Sequence, residues 1–274
     1  MKKRLVTIAD ASLGDGLPLL LVAGPCVIET REGCLAIAEE LKSVCERLGM
    51  PLVFKASYDK ANRTSVRSFR GPGLDEGLKI LGEVKRQFGL PVLSDVHAPD
   101  QCAIVADTLD CLQIPAFLCR QTDLVIAAAE TGRPLNIKKA QFMAPEDMGN
   151  VCAKAESAGN SQIVLTERGT AFGYHRLVND MRSIPAMQSL GRPVLFDATH
   201  SVQSPGGAGD RSGGDRKSVA PLALAGVAAG ADGLFLEVHP EPEKALSDAA
   251  AMLSLSRLPG LLTKAQRIRE IVVG

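Results

Sequence analysis

A chain of 274 residues, 46% of them hydrophobic, is long enough to bury one large core, and its 31 basic and 31 acidic side chains leave no net charge. With no global field to recruit nucleic acid or an anionic membrane, any anion-binding site has to be local. Seven cysteines, an odd number in a chain too large to depend on staples, fit free thiols in a reducing cytoplasm better than a disulfide framework.

The basic start MKKRLVTIAD is interrupted as a signal peptide by Asp10, Gly14 and Asp15, so no export signal is expected. The longest nearly apolar stretch, Leu17 to Ile28, contains Gly24 and two prolines and is too short to span a bilayer. Residues 5–20 read as a small β segment. Short apolar runs then predict strands over 19–26, 51–57, 91–97, 111–116, 134–140, 161–168, 193–200 and 233–239. Helical patterns lie between them. In REGCLAIAEELKSVCERLG, for example, Leu35, Ala38, Leu41, Val44, Cys45 and Leu48 recur at intervals of three and four before Gly49 stops the run. Eight strands alternating with helices predict a single (β/α)₈ TIM barrel over residues 1–274, with the short β segment at its N-terminus. An open doubly wound sheet is the alternative.

Most of these strands end in polar residues: Cys26, Lys55 with Ser57, Asp95 with His97, Gln113, Lys138, Arg168, His200, and Glu237 with His239. In a barrel the carboxyl ends meet on one face, so residues remote in sequence converge there. The two-residue strand period puts Asn136 with Lys138, and Asp95 with His97, on the inward face, and Leu135 with Ile137 on the other. A first constellation is cationic: Lys55, Lys60, Arg63, Lys138 and Arg168. Like charges gathered in one mouth call for an anionic ligand, a phosphate or carboxylate, to offset them. Arg67 and Arg70 read equally well as exposed charges.

GPGLDEG, residues 71–77, has neither the spacing nor the leading strand of a dinucleotide fingerprint and reads as turn glycines opening a helix. SPGGAGDRSGGDRKS, residues 204–218, reads as a lid, a phosphate loop or a plain surface loop. The second constellation is Cys26, His200 and Glu237, at the ends of the first, seventh and eighth strands. These strands are consecutive once the eighth pairs with the first, so sulfur, nitrogen and oxygen donors reach one divalent ion, with Asp248 as a fourth, auxiliary ligand. Such a set suits Zn²⁺, Fe²⁺, Co²⁺ or Mn²⁺. Taken singly, Cys26 also reads as a small core residue, His200 as a hydrogen-bonded histidine, and Asp248 as a helix cap. Cys34, Cys45, Cys102, Cys111, Cys119 and Cys152 read as packing residues.

Over nearly its whole length the chain resembles the 3-deoxy-D-manno-octulosonate 8-phosphate synthases. AGPCVIE, FKASYDKANRTS, FRGPGL, DVH, QIPAFLCRQTDL, NIKKAQF, ERGTAFGY, FDATHSVQ and EVHPEP match that family in order and spacing. The resemblance implies a homotetrameric, cytoplasmic barrel enzyme of lipopolysaccharide precursor synthesis. It would condense phosphoenolpyruvate with D-arabinose 5-phosphate and release inorganic phosphate. It also implies that Lys60, Lys138 and Arg168 hold phosphoenolpyruvate with Lys55 nearby, that Asn62, Arg63 and Ser65 receive the sugar phosphate, and that Arg120 reaches the sugar phosphate of a neighbouring subunit. Lys60, Lys138, His200 and Asp95 are the expected catalytic group, and Asp95, His97 and Gln113 line the mouth. Cysteine at position 26 resembles the metal-dependent class, which uses one divalent ion and no organic cofactor. The related 3-deoxy-D-arabino-heptulosonate 7-phosphate synthases typically read KPRTSP where this chain has KANRTS. A sugar-phosphate-binding barrel without turnover is a further alternative. Two departures stand out: Ala249 after Asp248, where the pattern has glycine, and Arg176, where it has asparagine.

Overall fold

The computed structural model describes residues 5–63, 65–207 and 213–274. A hairpin opens the chain, β1 (Val6–Ile8) against β2 (Ala11–Leu13). Eight parallel strands follow, broken by helices: β3 (Leu20–Gly24), α1 (Arg31–Leu48), β4 (Leu52–Lys55), α2 (Leu74–Phe88), β5 (Val92–Asp95), α3 (Pro99–Ala106), β6 (Cys111–Ile114), α4 (Thr122–Glu130), β7 (Leu135–Lys138), α5 (Met148–Ser157) and β8 (Ile163–Glu167). A small hairpin, β9 (Thr170–Ala171) with β10 (Leu177–Val178), precedes α6 (Ser183–Gln188) and β11 (Val194–Asp197). A second small hairpin, β12 (Gln203–Ser204) with β13 (Gly213–Gly214), precedes α7 (Val219–Ala228) and β14 (Gly233–His239). The chain ends with β15 (Leu253–Ser254), paired to the end of β14, and α8 (Leu258–Val273).

β14 pairs with β3 through Gly233↔Leu20 to Glu237↔Gly24, and with β11 through Leu195↔Gly233 to Asp197↔Phe235. The sheet is therefore a closed barrel rather than an open doubly wound sheet. Strand alternation sorts the core into two compartments. Leu135, Ile137, Leu112, Phe54 and Leu165 pack outward against the helices, while Leu20, Val22, Val53, Leu93, Cys111, Val164, Leu195 and Phe235 fill the barrel interior. Val6, Ile8, Ala11 and Leu13 of the first hairpin join that interior group, closing the barrel at its N-terminal end.

Helix α1 shows how local sequence sets an element. The Thr30 side chain accepts from the Gly33 amide at 3.0 Å to cap its start, and Gly49 ends it in the left-handed conformation at φ 60°. Its buried face is Cys34, Ile37, Ala38, Leu41, Val44 and Cys45. The face is rotated slightly from the expected one, leaving Leu35 and Leu48 at the margin of the core. The seven cysteines are all free and buried. Among the described residues, no helix is long and apolar enough to cross a membrane.

Candidate active site

Above the apolar interior, the inward positions of adjacent strands change to polar side chains. Thr166 donates to Asn136 at 2.5 Å, Asn136 to Gln113 at 2.8 Å, and Gln113 to Asp95, whose other oxygen accepts from Ser57 at 2.6 Å. This ladder across β8, β7, β6, β5 and the end of β4 satisfies its buried polar groups laterally. The next inward positions carry charge. Lys55 donates to Glu237 Oε1 at 2.7 Å and to the Cys26 carbonyl at 3.0 Å, and Lys138 donates to Asp197 Oδ2 at 2.7 Å. The Phe235 ring forms the floor, 3.7 Å from Lys138 Nζ and 5.6 Å from Lys55 Nζ. Gly24 makes this close packing feasible, because a Cβ there would lie 2.0 Å from the Lys55 carbonyl oxygen.

These side chains enclose two adjoining cavities of about 310 and 780 Å³ that share Lys60, Arg168 and His200 as walls. The size suits small phosphorylated ligands. Lys55, Asp95, His97, Gln113 and Lys138 line the smaller cavity; Arg63, Ser65, Gln203, Ser247 and Asp248 line the larger one, and Asn62 lines both. Burial opposes ionisation of Asp95, Asp197 and Glu237, yet the surrounding cations outweigh it and hold all three below the usual carboxylate range. For Lys138 the balance is reversed: burial pulls its pKa down more than Asp197 restores it. Burial likewise lowers Arg168. Lys60 is half-buried, and the surrounding acidic groups raise its pKa against the cost of burial. A cluster of cations set among fixed carboxylates, with Arg168 Nη1 buried and without a partner among the described residues, is suited to receive an anion.

Beside the cations stands a group of potential metal donors. Ligand atoms of Cys26, Glu237 and Asp248 lie within 4.8 Å of one another. His200 stands just outside this trio, with Nε2 3.6 Å from Glu237 Oε1 and 3.9 Å from Asp248 Oδ2. Its Nδ1 is 2.7 Å from Asp197 Oδ2, so Nδ1–H donates to that carboxylate and Nε2 is the ring nitrogen that faces Glu237 and Asp248. Glu237 Oε2 is buried with no partner among the described residues. Burial, then Asp248 and Glu237, push the Cys26 thiol well up, and its single S–H has Ser247 Oγ at 2.9 Å and Asp248 Oδ2 at 3.0 Å as alternative acceptors. A soft sulfur, an aimed imidazole and an orphaned carboxylate oxygen fit one divalent cation, which would offset the clustered negative charge.

Two expectations about Asp248 change. It does not cap a helix; its carbonyl accepts from the Ala251 and Met252 amides in a turn. Nor is Ala249 the residue under backbone demand. Asp248 itself takes the left-handed conformation at φ 47°, which aspartate tolerates better than most side chains, and Ala249 does not. Asp248 contributes one of the three clustered donor atoms.

Of the other predicted residues, Arg63 donates to Ser247 at 2.7 Å and to the Phe69 carbonyl at 2.8 Å, linking the loop after β4 to the loop that carries Asp248. Arg67 borders the larger cavity, whereas Arg70 is paired to Asp59 at the surface. Arg120 is exposed and borders neither cavity, and Arg176 is exposed in the turn between β9 and β10. Part of the glycine-rich stretch, residues 208–212, lies outside the described residues. The sequence reading passed over Asp197, Gln203 and Ser247. Asp197 was signalled by its place three residues before His200 at a strand end, but Gln203 and Ser247 carry no pattern of their own.

A family model described as the DAHP synthetase I family matches residues 3–273. A curated 2-dehydro-3-deoxyphosphooctonate aldolase from Trichlorobacter lovleyi is 57% identical over 272 residues, covering 99% of this chain and 100% of that protein. Proteins of the same name from Geobacter sp. strain M21 and Geotalea daltonii are each 58% identical, over 269 and 267 residues, covering 98% and 97% of this chain and 98% of each relative.

Proposed function

The chain belongs to the DAHP synthetase I family, and from that premise we propose that it is a 3-deoxy-D-manno-octulosonate 8-phosphate synthase. It condenses phosphoenolpyruvate with D-arabinose 5-phosphate and water, releases inorganic phosphate, and serves lipopolysaccharide precursor synthesis. The observation that carries this reading is the joined pair of cavities, in which buried Lys55, Lys138 and Arg168 and the adjacent Lys60 face the donor group of Cys26, Glu237, Asp248 and His200.

Lys60, Lys138 and Arg168 bind phosphoenolpyruvate, and their charge-assisted bonds hold its phosphate and carboxylate fixed. Asn62, Arg63 and Ser65, on the larger cavity, receive the phosphate of arabinose 5-phosphate and bring its aldehyde over the enol carbon. Attack on the aldehyde leaves a cationic carbon; water adds there, and the hemiketal phosphate collapses without a covalent bond to the protein. Asp95, kept ionised by Lys55 and Lys60 despite burial, orients groups at the mouth with His97 and Gln113. Lys138, which lines the smaller cavity and whose proton burial loosens, is the proposed donor to the departing phosphate oxygen. Cys26, His200, Glu237 and Asp248 hold one divalent ion, Zn²⁺, Fe²⁺, Mn²⁺ or Co²⁺. When bound it supplies Lewis acidity toward the aldehyde or a water.

Residues 1–274 act as one cytoplasmic catalytic domain. The expected assembly is a homotetramer, and Phe142 and Phe172, exposed by 60% and 64% on loops after β7 and β8, offer apolar surface for contact between copies. Arg120 is the residue expected to act across that interface.

Incubating the protein with both substrates and assaying phosphate release tests the proposal. Turnover with arabinose 5-phosphate well above that with erythrose 4-phosphate is expected. Comparable turnover of the shorter sugar would favour a heptulosonate 7-phosphate synthase, and no phosphate with any added divalent metal would favour a binding barrel.

A further inference from the structure

We infer that Gln203 is a positioning residue that ties the anion-binding guanidinium of Arg168 to the metal-facing carboxylate of Asp248, so that phosphoenolpyruvate and the divalent ion bind cooperatively. The inference rests on the metal-dependent synthase reading and assigns a role to a residue outside that proposed catalytic and ligand set.

Arg168 follows β8 and Asp248 lies in the loop after β14, with the Gln203 amide between them. Gln203 Oε1 accepts from Arg168 Nη2 at 2.8 Å, and Gln203 Nε2 donates to Asp248 Oδ1 at 2.8 Å. A guanidinium only donates and a carboxylate only accepts, so a bridge between them needs one acceptor end and one donor end. The glutamine amide offers both, an oxygen that accepts and a nitrogen that donates, on one planar group. Glutamate would keep the bond to Arg168 but repel Asp248, and methionine of similar length would keep neither.

Each partner uses one atom for this anchor and turns the other toward a ligand position. Arg168 Nη1 is buried and without a partner among the described residues. Asp248 Oδ2 faces Cys26 Sγ at 3.0 Å and His200 Nε2 at 3.9 Å. Gln203 itself is not on a barrel strand. It lies on β12, opposite Gly214 of β13, at the base of the glycine-rich loop. Gly214 in turn packs on the Asp248 loop so closely that a Cβ there would be 3.2 Å from Ala251 Cβ. The loop base, the amide and the Asp248 turn therefore form one mechanical unit. Whichever ligand binds first fixes the amide, which lowers the ordering cost of the second, and such coupling is reciprocal.

The test uses full-length protein stripped of metal and titrated with Co²⁺, in the absence and presence of phosphoenolpyruvate alone, so that no turnover occurs. Wild type is expected to bind Co²⁺ about tenfold more tightly with phosphoenolpyruvate present. Gln203→Met is expected to weaken Co²⁺ binding on the order of 10- to 100-fold and to abolish the phosphoenolpyruvate effect. Its unfolding temperature without metal should stay near wild type, whereas a merely structural role would lower that temperature and leave the coupling intact. Gln203→Glu, the second variant should the first fail to fold, is expected to retain phosphoenolpyruvate binding but lose Co²⁺ affinity and coupling. Wild-type Co²⁺ affinity with a wild-type phosphoenolpyruvate effect in either variant overturns the inference, as does the absence of any effect in wild type. Phosphate release is measured separately: turnover without coupling sinks this inference alone, and coupling without turnover sinks the synthase reading alone.

Discussion

Replacing Lys55 by methionine isolates the electrostatics of the barrel mouth. Lys55 Nζ and Glu237 Oε1 are 2.7 Å apart and both side chains are almost wholly buried, at 1% and 0% exposure. Deleting one member of such a pair typically costs about 3–5 kcal/mol, because the remaining charge is left uncompensated. A ceiling comes from proton uptake: starting from an ordinary glutamate pKa of about 4.3, neutralising Glu237 at pH 7 costs about 3.7 kcal/mol, and at pH 5 only about 1 kcal/mol. Lys60 and Lys138 still act on Glu237 in the variant, so a loss near 3 kcal/mol at pH 7 is expected. The sign follows from linkage. In wild type the cations overcome burial and hold the Glu237 pKa below its unfolded value, but in the variant it rises above that value. The native variant then binds a proton that the unfolded chain releases, and its deficit grows from pH 5 to pH 7. Guanidinium unfolding of metal-free protein at pH 5, 6 and 7 measures this, and Lys55→Met/Glu237→Gln should recover most of the loss. A deficit independent of pH, or no recovery in the double variant, would refute the reasoning.

Asp197→Asn should flatten the acid limb of stability. Asp197, held below its ordinary pKa by His200 and Lys138 against burial, contributes fully above about pH 4 and loses that contribution as pH falls through its lower folded value, which melting temperatures between pH 6 and pH 3 will follow. Arg168→Ala should cut kcat/KM for phosphoenolpyruvate by on the order of 100-fold or more, since it removes a charge-assisted partner from a partly dry site, and a near-wild-type value would remove its proposed role. Chelation should abolish phosphate release, Zn²⁺, Mn²⁺ or Co²⁺ should restore part of it, and Cys26→Ala should prevent restoration. Because Asp248 lies within the donor trio, Asp248→Ala should weaken metal binding at least as much as His200→Ala, measured as bound metal per chain; a clearly smaller loss would make it an accessory ligand.

Much of this protein was legible before any tertiary structure. The two-residue period of a strand is a local property, so LNIK already separates Asn136 and Lys138 from Leu135 and Ile137. Local pattern also gives the cationic ends of β4 and β7 and the count of eight strands, whereas the polar ladder across β4 to β8 depends on sheet register. The helix end at Gly49 was legible for the same local reason. Tertiary structure decided what no local rule reaches. Barrel closure through β11, β14 and β3 determines that Cys26 and Glu237 are neighbours. The loop after β14, turned by the left-handed Asp248, then determines that this carboxylate, rather than the His200 imidazole, completes the tight trio. Gln203 and Ser247 were invisible because a bridging side chain has no periodicity: its role is set by two partners, each brought to it by a different loop.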